Sequence, residues 1–431
     1  MGDNLTTSSE TGSWLYHPMF PADWTRQPLY SLAEWVNGLA FGNIQFSKTG
    51  MPVIKIAEIK SGISGQTRFT EQAFDDSVHV RHGDLLFSWS GQPETSIDVF
   101  WWKGPEGWLN QHTFRVTPAN NIDSRFFYYL LRYLKANFIG IARNKQTTGL
   151  GHVTKLDLES IEAAHPDIPE QRAIAHILGA LDDKIELNRR MNATLEAMAQ
   201  ALFKSWFVNF DPFRDQGMQD SPMGEIPVAW QVGRVDDMAV LHRQSIKPTD
   251  YPDETFDHYS IPAYDEGRAP RAEPGVQIRS SKTQIPDQAI LISKLNPRFP
   301  RVWLPLHTMQ QRAVCSTEFL VVTPKADLSR EYIYPLFSSR AFLETFSTLV
   351  TGTSSSHQRV RPEDLLTIDA AIPPVEVIRS FSGIVSPLFT LRKNNLDQNS
   401  TLAAIRDVLL PRLLSGEIRV KDAEKSVEVK I

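Results

Sequence analysis

The sequence predicts an α+β protein built from two related modules, each of which is followed by a long helix. Four short blocks recur in the same order at a nearly constant offset, which indicates an internal repeat. An apolar periodicity of three and four residues follows each copy. A polar stretch rich in Pro and Gly, DPFRDQGMQDSPMGEIPVAW, joins the two halves, as linkers do.

The repeat fixes where the predicted domains begin and end. Its matched blocks are Trp24 with Trp230, Ser88 with Ser293, TFRVTP ending at Pro118 with FLVVTP ending at Pro324, and Asp157-Leu158 with Asp364-Leu365. We therefore expect an N-terminal leader at 1–20, a first module at 21–167, a first helix at 168–212, a linker at 213–228, a second module at 229–371, a second helix at 372–420 and a flexible tail at 421–431.

Each module is expected to mix short strands with one helical segment. The segments PVIKIAEI, DLLFSWS and FRVTP have the apolar content and the Gly, Pro and Asp boundaries of strands. The helical segments are SRFFYYLLRYLKANF in the first copy and SREYIYPLFSSRAFLETF in the second. Both open on Ser, which predicts an N-cap.

The two long helices carry an apolar seam that predicts a coiled coil. Globular helices average about 11 residues, so helices of this length with so narrow a stripe are expected to pair with each other. Asn188, Met198 and Leu391 also fall on the predicted seam. The second copy gains three residues across the polar stretch RKNNLDQNS, which predicts that the pairing of the two helices is locally irregular there. The principal seam residues are Ile174, Ile177, Leu181, Leu195, Leu202, Ile378, Phe381, Val385 and Leu388.

Composition limits the classes of protein that fit. The formal net charge of −5 argues against a protein that coats nucleic acid without selectivity. The single cysteine, Cys315, excludes an internal disulfide and fits a reducing cytoplasm. No apolar run reaches the ~18 residues of a membrane span, so a soluble cytoplasmic protein is expected. One basic island stands out, with two acidic residues against seven basic ones: Arg268, Arg271, Arg279, Lys282, Lys294, Arg298 and Arg301.

Three motifs in this doubled layout resemble the specificity subunit of a type I restriction-modification enzyme. They are PEQ at Pro169 to Gln171, ALFKSWFVNFDP at Ala201 to Pro212, and PRLLSGEI at Pro411 to Ile418. The resemblance extends from about Trp24 to Val420. It implies that each module is a target recognition domain for one half of a split, asymmetric DNA sequence. It also implies that the two long helices pack antiparallel, as a spacer with pseudo-twofold symmetry.

The same resemblance implies partners. Two methyltransferase subunits, which carry S-adenosylmethionine and the adenine-N6 chemistry, dock on the assembly, and two ATP-dependent restriction subunits can join them for cleavage in bacterial phage defence. The expected methyltransferase contacts are Glu170, Gln171, Trp206 and Phe207. The second copy has IPPVEV in place of IPEQRA, so the two docking ends are not expected to be equivalent. The alternative is a specificity or scaffold subunit of another methylation-based defence complex.

An enzyme in its own right is the competing interpretation. NFDPF at Asn209 to Phe213 resembles the loop by which amino-methyltransferases hold a flipped base, but it has one proline and no glycine-rich cofactor loop precedes it. The sequence contains no phosphate-binding G-x-x-x-x-G-K-[ST] motif and no His/Cys cluster with zinc spacing. It therefore predicts a non-catalytic subunit with no metal or cofactor of its own.

DNA readout requires Arg, Lys, Asn, Gln, Ser and Thr on loops that can enter a groove. Two places in each module offer such residues, although a polar surface loop is the alternative for any one of them. In the first module they are Lys55, Lys60, Gln66, Thr67, Arg68, Arg143, Lys145, Gln146, Thr147 and His152. In the second they are Arg279, Ser280, Lys282, Lys294, Asn296, Arg298, Ser354, Ser355, His357, Gln358 and Arg359.

The spacer interpretation yields a first prediction. A helix from Ile168 to Phe210 would measure at most about 64 Å at ~1.5 Å per residue, or roughly 19 base pairs at ~3.4 Å per step. Inserting one heptad into both helices should lengthen the unread gap and leave both half-site sequences unchanged, because the helices do not read bases. Mapping of methylated sites measures this, and a changed half-site with the same gap would contradict it.

Overall fold

The computed structural model describes residues 20–42, 44–146, 149–306, 311–325, 327–351 and 358–423. The chain divides into two compact units. Unit 1 comprises Met1–Lys184 and Leu402–Ile431, and unit 2 comprises Ile185–Thr401. Each unit thus holds one module together with a portion of both long helices. None of the helices within the described ranges has the length and apolar character needed to span a membrane.

Module 1 is built on two four-stranded sheets. The first has the strand order Ala33–Asn37, Thr113–Pro118, Leu85–Ser88 and Asp98–Trp101, and the second has the order Phe69–Thr70, Met51–Ile54, Gly107–Leu109 and His79–Val80. Two strand pairs complete it, Thr25–Pro28 with Glu162–His165 and Ser90–Gly91 with Gly151–His152. Its helices are Ile56–Ser61, Pro93–Ser96, Ser124–Tyr133, Lys135–Asn144 and Lys155–Ser160, with 3-10 turns at Leu29–Leu32 and Asp76–Val78.

Module 2 repeats this plan with a larger second sheet. Its first sheet has the order Ala239–His242, Phe319–Pro324, Ile290–Ser293 and Val302–Trp303. Its second has the order Ser245–Ile246, Lys282–Gln284, Arg312–Cys315, Thr255–Tyr259 and Arg271–Pro274. The strand pairs are Gln231–Arg234 with Asp369–Ile372, Met218–Gln219 with Ile226–Pro227, and Val350–Thr351 with Arg359–Val360. The helices are Val235–Met238, Ile261–Asp265, Arg330–Ser338, Arg340–Thr348 and Pro362–Leu366, and 3-10 turns lie at Asp211–Gln216, Pro248–Asp250 and Gly275–Gln277.

The α+β class and the internal repeat are confirmed at the level of topology. In each module the first sheet has the same strand order and antiparallel pairing. Each second sheet contains one parallel pair, Met51–Ile54 with Gly107–Leu109 in module 1 and Thr255–Tyr259 with Arg312–Cys315 in module 2. Two modules that share such a non-local parallel pairing share a fold and not only a set of short motifs.

The element assignments inside the modules need three corrections. The predicted strand PVIKIAEI is a strand only to Ile54, and the helix Ile56–Ser61 follows it because the backbone N–H of Lys55 is capped by Glu58. Each helical segment is two helices. In module 1 the N-cap is Asp123, which accepts hydrogen bonds from the next turn, whereas in module 2 it is Ser329 as predicted.

Both long helices have 40 residues, Ile168–Phe207 and Val375–Leu414. The first ends before the predicted limit, and a left-handed residue, Phe210 with φ of 58°, follows it. The second begins three residues later than predicted because Asp369–Ile372 pairs with Gln231–Arg234 as a strand. The predicted linker is folded, since Phe213 and Ile226 lie in the core of unit 2 beside Trp230.

Most of the predicted seam residues are buried, but two of them, Met198 and Leu391, are exposed. The principal seam residues are buried, except that Leu202 and Leu388 are partly buried against the core of unit 2. Met198, by contrast, is 48% exposed, because the three- and four-residue spacing continues from Leu195 through Ala199 to Phe203. The prediction counted large apolar residues in this part of the helix and passed over alanine and asparagine. It therefore placed the buried stripe one residue too early in the sequence.

The polar stretch of the second helix supplies partners for the first helix. Asn188 donates hydrogen bonds to Gln398 Oε1 at 2.8 Å and Asn399 Oδ1 at 2.9 Å. One turn further, Asn395 donates to Asn192 Oδ1 at 2.9 Å. Partner numbers fall as the first helix ascends, so these segments of unit 2 run antiparallel. The stretch stays helical, so the second helix is not interrupted there, and its amides bond across the helix pair, which fixes the register locally.

The corrected seam predicts contrasting effects on stability. Replacing Phe203, which is 2% exposed in the core of unit 2, by alanine should lower the free energy of unfolding by about 3–5 kcal/mol because a cavity is left. Met198→Ala on the same helix should change it by no more than ~0.5–1 kcal/mol. Denaturant unfolding measures both, and a larger loss for Met198→Ala would restore the original seam.

Candidate nucleic-acid interface

One end of the first sheet of each module gathers the predicted loops. In module 1 this end, called edge 1, is formed by Asn37, Ser88 and Thr113, which lie on three neighbouring strands. In module 2 the corresponding edge 2 is formed by His242, Ser293 and Phe319. The segments beyond these residues leave the sheet at one place, so side chains distant in sequence can act as one surface.

At edge 1, the segment after Ser88 forms backbone hydrogen bonds with the end of the loop Arg143–His152. Val153 donates its backbone N–H to Trp89 O at 2.9 Å, and Ser90–Gly91 pairs with Gly151–His152. Gly151 has no room for a side chain, because a Cβ there would lie 2.3 Å from Ala142 O. The loop is thereby anchored at its C-terminal end.

The short helix Pro93–Ser96 joins the two predicted sets of module 1. Lys60 Nζ donates a hydrogen bond to Thr95 O, and Arg143 Nε donates to Glu94 Oε1 at 2.6 Å. The set around Lys55–Arg68 and the loop Arg143–His152 are therefore neighbours. Sequence reasoning missed the segment from Trp89 to Ser96 itself, although the Ser88 and Ser293 match places it opposite Lys294 to Arg301, which includes the candidates Lys294, Asn296 and Arg298.

At edge 2, the two predicted loops meet directly. Asn296 donates its backbone N–H to Gln358 O at 2.9 Å, and Val360 donates to Lys294 O at 3.0 Å. Asn296 adopts a left-handed backbone with φ of 48°, which turns the chain sharply after the strand. Ser354, Ser355 and His357 lie outside the described residues.

Two of the residues proposed for readout in module 1 have internal roles. Thr67 is 8% exposed and its hydroxyl accepts a hydrogen bond from Ser64 N at 2.9 Å. Lys145 Nζ lies 2.6 and 2.7 Å from the two carboxylate oxygens of Asp157. Burial opposes ionisation of Asp157, but hydrogen bonds from Lys145 and Thr154 outweigh it and lower the pKa of this carboxyl group.

The other residues of module 1 keep accessible side chains. Lys60, Gln66, Arg68, Arg143 and Gln146 are exposed, and Lys55 and His152 are half-buried. The Arg68 guanidinium lies over the Phe46 ring at 4.7 Å, and Gln146 donates to Gly149 O at 2.9 Å. Thr147 lies outside the described residues.

The basic island of module 2 has fewer unpaired cations in the structure than its sequence suggests. Arg268 binds Glu196, Arg271 binds Glu266, and Arg301 binds Asp265. Those carboxylates lie outside the sequence window, so a local count of charge missed them. In the part of the chain that the structure describes, no carboxylate pairs with Arg279, Lys294 or Arg298.

Two further predictions in module 2 are constrained by internal bonds. Lys282 is 8% exposed and donates a hydrogen bond to Ser280, and burial lowers the pKa of Lys282. Arg359 is exposed but held in a two-point pair with Glu318, both at 3.0 Å. Lys282 is thus a core residue of the second sheet and not a surface cation.

The two edges differ in chemistry. At edge 1, Trp89 is half-exposed, donates its indole N–H to Asn37 Oδ1 at 3.0 Å, and packs on His112 at 5.8 Å between ring centroids. At edge 2, the repeat places Arg243 and Glu318 opposite Asn37 and His112. An aromatic and amide surface therefore corresponds to a charged one.

The predicted methyltransferase contacts are mostly engaged within the chain. Gln171 has no exposed surface, accepts a hydrogen bond from Asp123 N at 2.8 Å and donates to Pro166 O at 2.9 Å. Glu170 pairs with Arg419 at 2.8 Å, and burial raises the pKa of Glu170.

The aromatic pair at the end of the first long helix is also packed. Phe207 is buried against Trp230 and Tyr332, whereas Trp206 remains half-buried and packs on Phe213 and Phe381. Glu170 and Trp206 thus keep some exposed surface, and Gln171 and Phe207 stabilise their own units.

Within the described ranges, no group of three His, Cys, Asp or Glu side chains is arranged to hold a metal ion. Cys315 is buried in module 2, and burial raises the pKa of its thiol to about 12.

Comparisons with known proteins agree with this arrangement. The family model of the type I restriction modification DNA specificity domain matches residues 21–197. The chain is 25% identical over 438 residues to the type I restriction enzyme MjaIX specificity subunit of Methanocaldococcus jannaschii, covering 93% of this chain and 95% of that protein. It is 25% identical over 450 residues to the HindI specificity subunit of Haemophilus influenzae, covering 88% and 95%. The fold is similar to the crystal structure of a type I restriction-modification system S subunit from M. genitalium, with a TM-score of 0.53, 14% identity and coverage of 92% and 99%.

The internal role of Lys145 can be measured. Lys145→Met should lower the free energy of unfolding by about 1–2 kcal/mol at pH 7, because Asp157 loses a charged hydrogen-bond donor. The exposed Arg143→Ala should cost about 0.2–1 kcal/mol.

The pH dependence follows from the lowered pKa of Asp157. Its pair is fully present above the ordinary carboxyl pKa of about 3.9 and is lost as pH falls through the lower value in the folded protein. The difference between wild type and Lys145→Met should therefore shrink below about pH 4. Equal losses for Lys145→Met and Arg143→Ala at pH 7 would contradict the internal role.

Proposed function

We infer that this chain, which belongs to the type I restriction-modification specificity family, is the subunit that selects the DNA sequence on which its complex acts. The observation that carries the inference is the repeated edge. Two modules of one topology each join two polar loops at the same end of the same sheet, with different side chains. Such a protein suits a site in two unlike halves, and we propose that each edge reads one of them.

Edge 1 offers amides and an aromatic group for reading bases. We propose that Gln146 and His152 act together with Gln92 and Thr95 of the newly recognised segment, and that Arg68 contributes from the neighbouring loop. Gln can pair with the adenine edge through two hydrogen bonds, and Arg can pair with guanine in the same manner. Thr67 and Lys145 are left out because their polar groups are bound within the module.

Edge 2 offers cations and a turn. Lys294 and Arg298 flank the left-handed Asn296 and are proposed to contact bases or phosphates, with Gln358 beside them. Arg279 extends from the second sheet and is proposed to bind the phosphate backbone. A few such contacts on a chain of net charge −5 favour selective binding over general affinity for DNA.

The partners follow from membership of the family. DNA and a methyltransferase are the expected partners of a specificity subunit. We propose two methyltransferase subunits with S-adenosylmethionine bound to them, optionally joined by two ATP-dependent restriction subunits. Glu170 and Trp206 are the proposed contact residues because their side chains retain exposed surface. Catalysis is assigned to the partners, and this chain binds, orients and discriminates.

The decisive experiment is co-expression with a type I methyltransferase subunit from the same organism. The purified complex should contain both chains and should methylate adenine in one two-part sequence, identified by long-read sequencing of the DNA. A complex that methylates without sequence preference, or a chain that retains no methyltransferase, would contradict the proposal and favour a scaffold role.

Single substitutions at the two edges should act on different half-sites. Gln146→Ala should relax the sequence preference at one half-site, and Arg298→Ala should do so at the other, each by about 1–3 kcal/mol of discrimination if the contact is to a base. The methylation rate on DNA with each base changed in turn measures this. Arg340→Ala, an exposed arginine on the helix Arg340–Thr348, is the matched control. Relaxation of the same half-site by both variants would contradict separate edges.

A further inference from the structure

In unit 1, one carboxylate ties the module to both long helices. Asp182, on the first long helix, accepts hydrogen bonds from Tyr129 Oη at 2.8 Å and from Arg406 Nη1 at 2.7 Å. Arg132 Nη1 lies 3.6 Å from the same carboxylate. Tyr129 and Arg132 belong to the helix Ser124–Tyr133 of module 1, and Arg406 belongs to the second long helix.

Unit 2 contains a second such cluster. Glu196, also on the first long helix, accepts hydrogen bonds from Tyr334 Oη, from Arg392 Nη2 at 3.1 Å and from Arg268 Nη1 at 3.0 Å. Tyr334 and Arg268 belong to module 2, and Arg392 belongs to the second long helix. We call the two clusters the Asp182 clamp and the Glu196 clamp.

The clamps share a chemistry that the repeat alone does not explain. Their tyrosines lie on corresponding helices, Ser124–Tyr133 and Arg330–Ser338, but one residue apart in the register of the repeat, since Tyr334 matches Tyr128 at the offset of Pro118 and Pro324. The carboxylates, however, both lie on the first long helix, and one arginine of each clamp, Arg406 or Arg392, lies on the second. The same arrangement of a carboxylate, a tyrosine and an arginine thus recurs at helix positions that are not equivalent in the repeat.

Burial makes these bonds costly to lose. Tyr129 and Tyr334 are buried, and burial together with the adjacent carboxylate raises the pKa of both hydroxyls, so they stay protonated and donate. Arg392 is 8% exposed, and its guanidinium lies over the rings of Phe389 and Tyr334 at 5.8 and 6.0 Å. A buried cation left without its carboxylate is strongly unfavourable.

We propose that Asp182 and Glu196 are positioning residues that fix the direction in which each module leaves the helix pair, and thereby set the number of base pairs accepted between the half-sites. The inference rests on the proposed function. Apolar contacts alone are non-directional and allow a module to turn on the helices, whereas charge-assisted hydrogen bonds fix orientation. One base-pair step is only ~3.4 Å, so a small turn at the clamp is enough to change the accepted gap.

The test measures tolerance of the gap. The complex with the methyltransferase is assayed on DNA in which the gap is the natural length, one base pair shorter or one base pair longer. We expect Asp182→Asn and Glu196→Gln each to reduce the preference for the natural gap by about tenfold, the loss of one charged hydrogen bond, with half-site sequences unchanged. Asp397→Asn, which removes a carboxylate paired with Lys393 on the surface of the second long helix, is the matched control and should keep the wild-type preference.

A second pair of variants guards against misfolding. Tyr129→Phe and Tyr334→Phe remove one donor each and retain the carboxylate–arginine pair, so we expect a smaller loss of gap preference in the same direction. Melting temperature establishes that each variant is folded.

The outcomes separate the two inferences. A wild-type complex without sequence-selective methylation would overturn the proposed function. A selective wild type whose gap preference is unchanged in folded Asp182→Asn and Glu196→Gln would overturn the clamp inference alone. If the carboxylate variants do not fold, an unchanged preference in both tyrosine variants overturns it in the same way.

Discussion

The rest of the structure depends on the pairing of the two long helices along their apolar seam. Neither helix can be stable alone, because its buried stripe would face water, and most helical stability comes from packing. In unit 2 the same side chains that close the seam, such as Phe203 and Phe381, are also part of the core of module 2. Helix pairing, module packing and module orientation are therefore coupled, and the buried amides of Asn188 and Asn395 enter the seam where they find partners on the other helix. The amides around Asn188 and the carboxylate of Glu196 supply direction that apolar contacts lack.

The two modules share one sheet topology but present different side chains at its edge. Their first sheets have the same order and register, so edge 1 and edge 2 are built alike, while the residues that emerge there differ in charge and shape. Conserving the sheet and varying the loops separates stability from selectivity. Ion pairs refine this picture, since three of the seven cations of the basic island are paired with carboxylates and Lys282 is buried, which leaves three cations for phosphates. A chain of net negative charge with few unpaired cations binds DNA weakly through phosphates alone, so its binding depends on contacts to particular bases.

Much of this architecture was predictable because the sequence contains an internal repeat and a regular spacing of apolar residues. The doubled blocks predicted two modules, and the spacing of Ile174 to Leu181 predicted the paired helices. The misplacement of Met198 has a physical cause, because alanine and asparagine can occupy a seam when a partner helix approaches closely or offers an amide. Lys145 and Lys282 were candidates as cations, and only tertiary contacts distinguish a cation that reads DNA from one that is bound or buried. The clamps were not predictable, because side chains that bond to each other in them are separated by up to 224 residues along the chain.

The C-terminal segment of unit 1 has a consequence for synthesis. Arg419 binds Asp23 and Glu170, and Gly416, with φ of 74°, lies against Pro21, so unit 1 is completed by a segment that is translated after the whole of unit 2. Unit 2 is contiguous and can fold while the ribosome is still at work. At ~5–20 residues per second, the nascent first module waits roughly 10–50 s for its missing helix segment, with apolar seam residues such as Leu181 exposed. Chaperone demand during translation should therefore fall on the N-terminal module, even though it is made first.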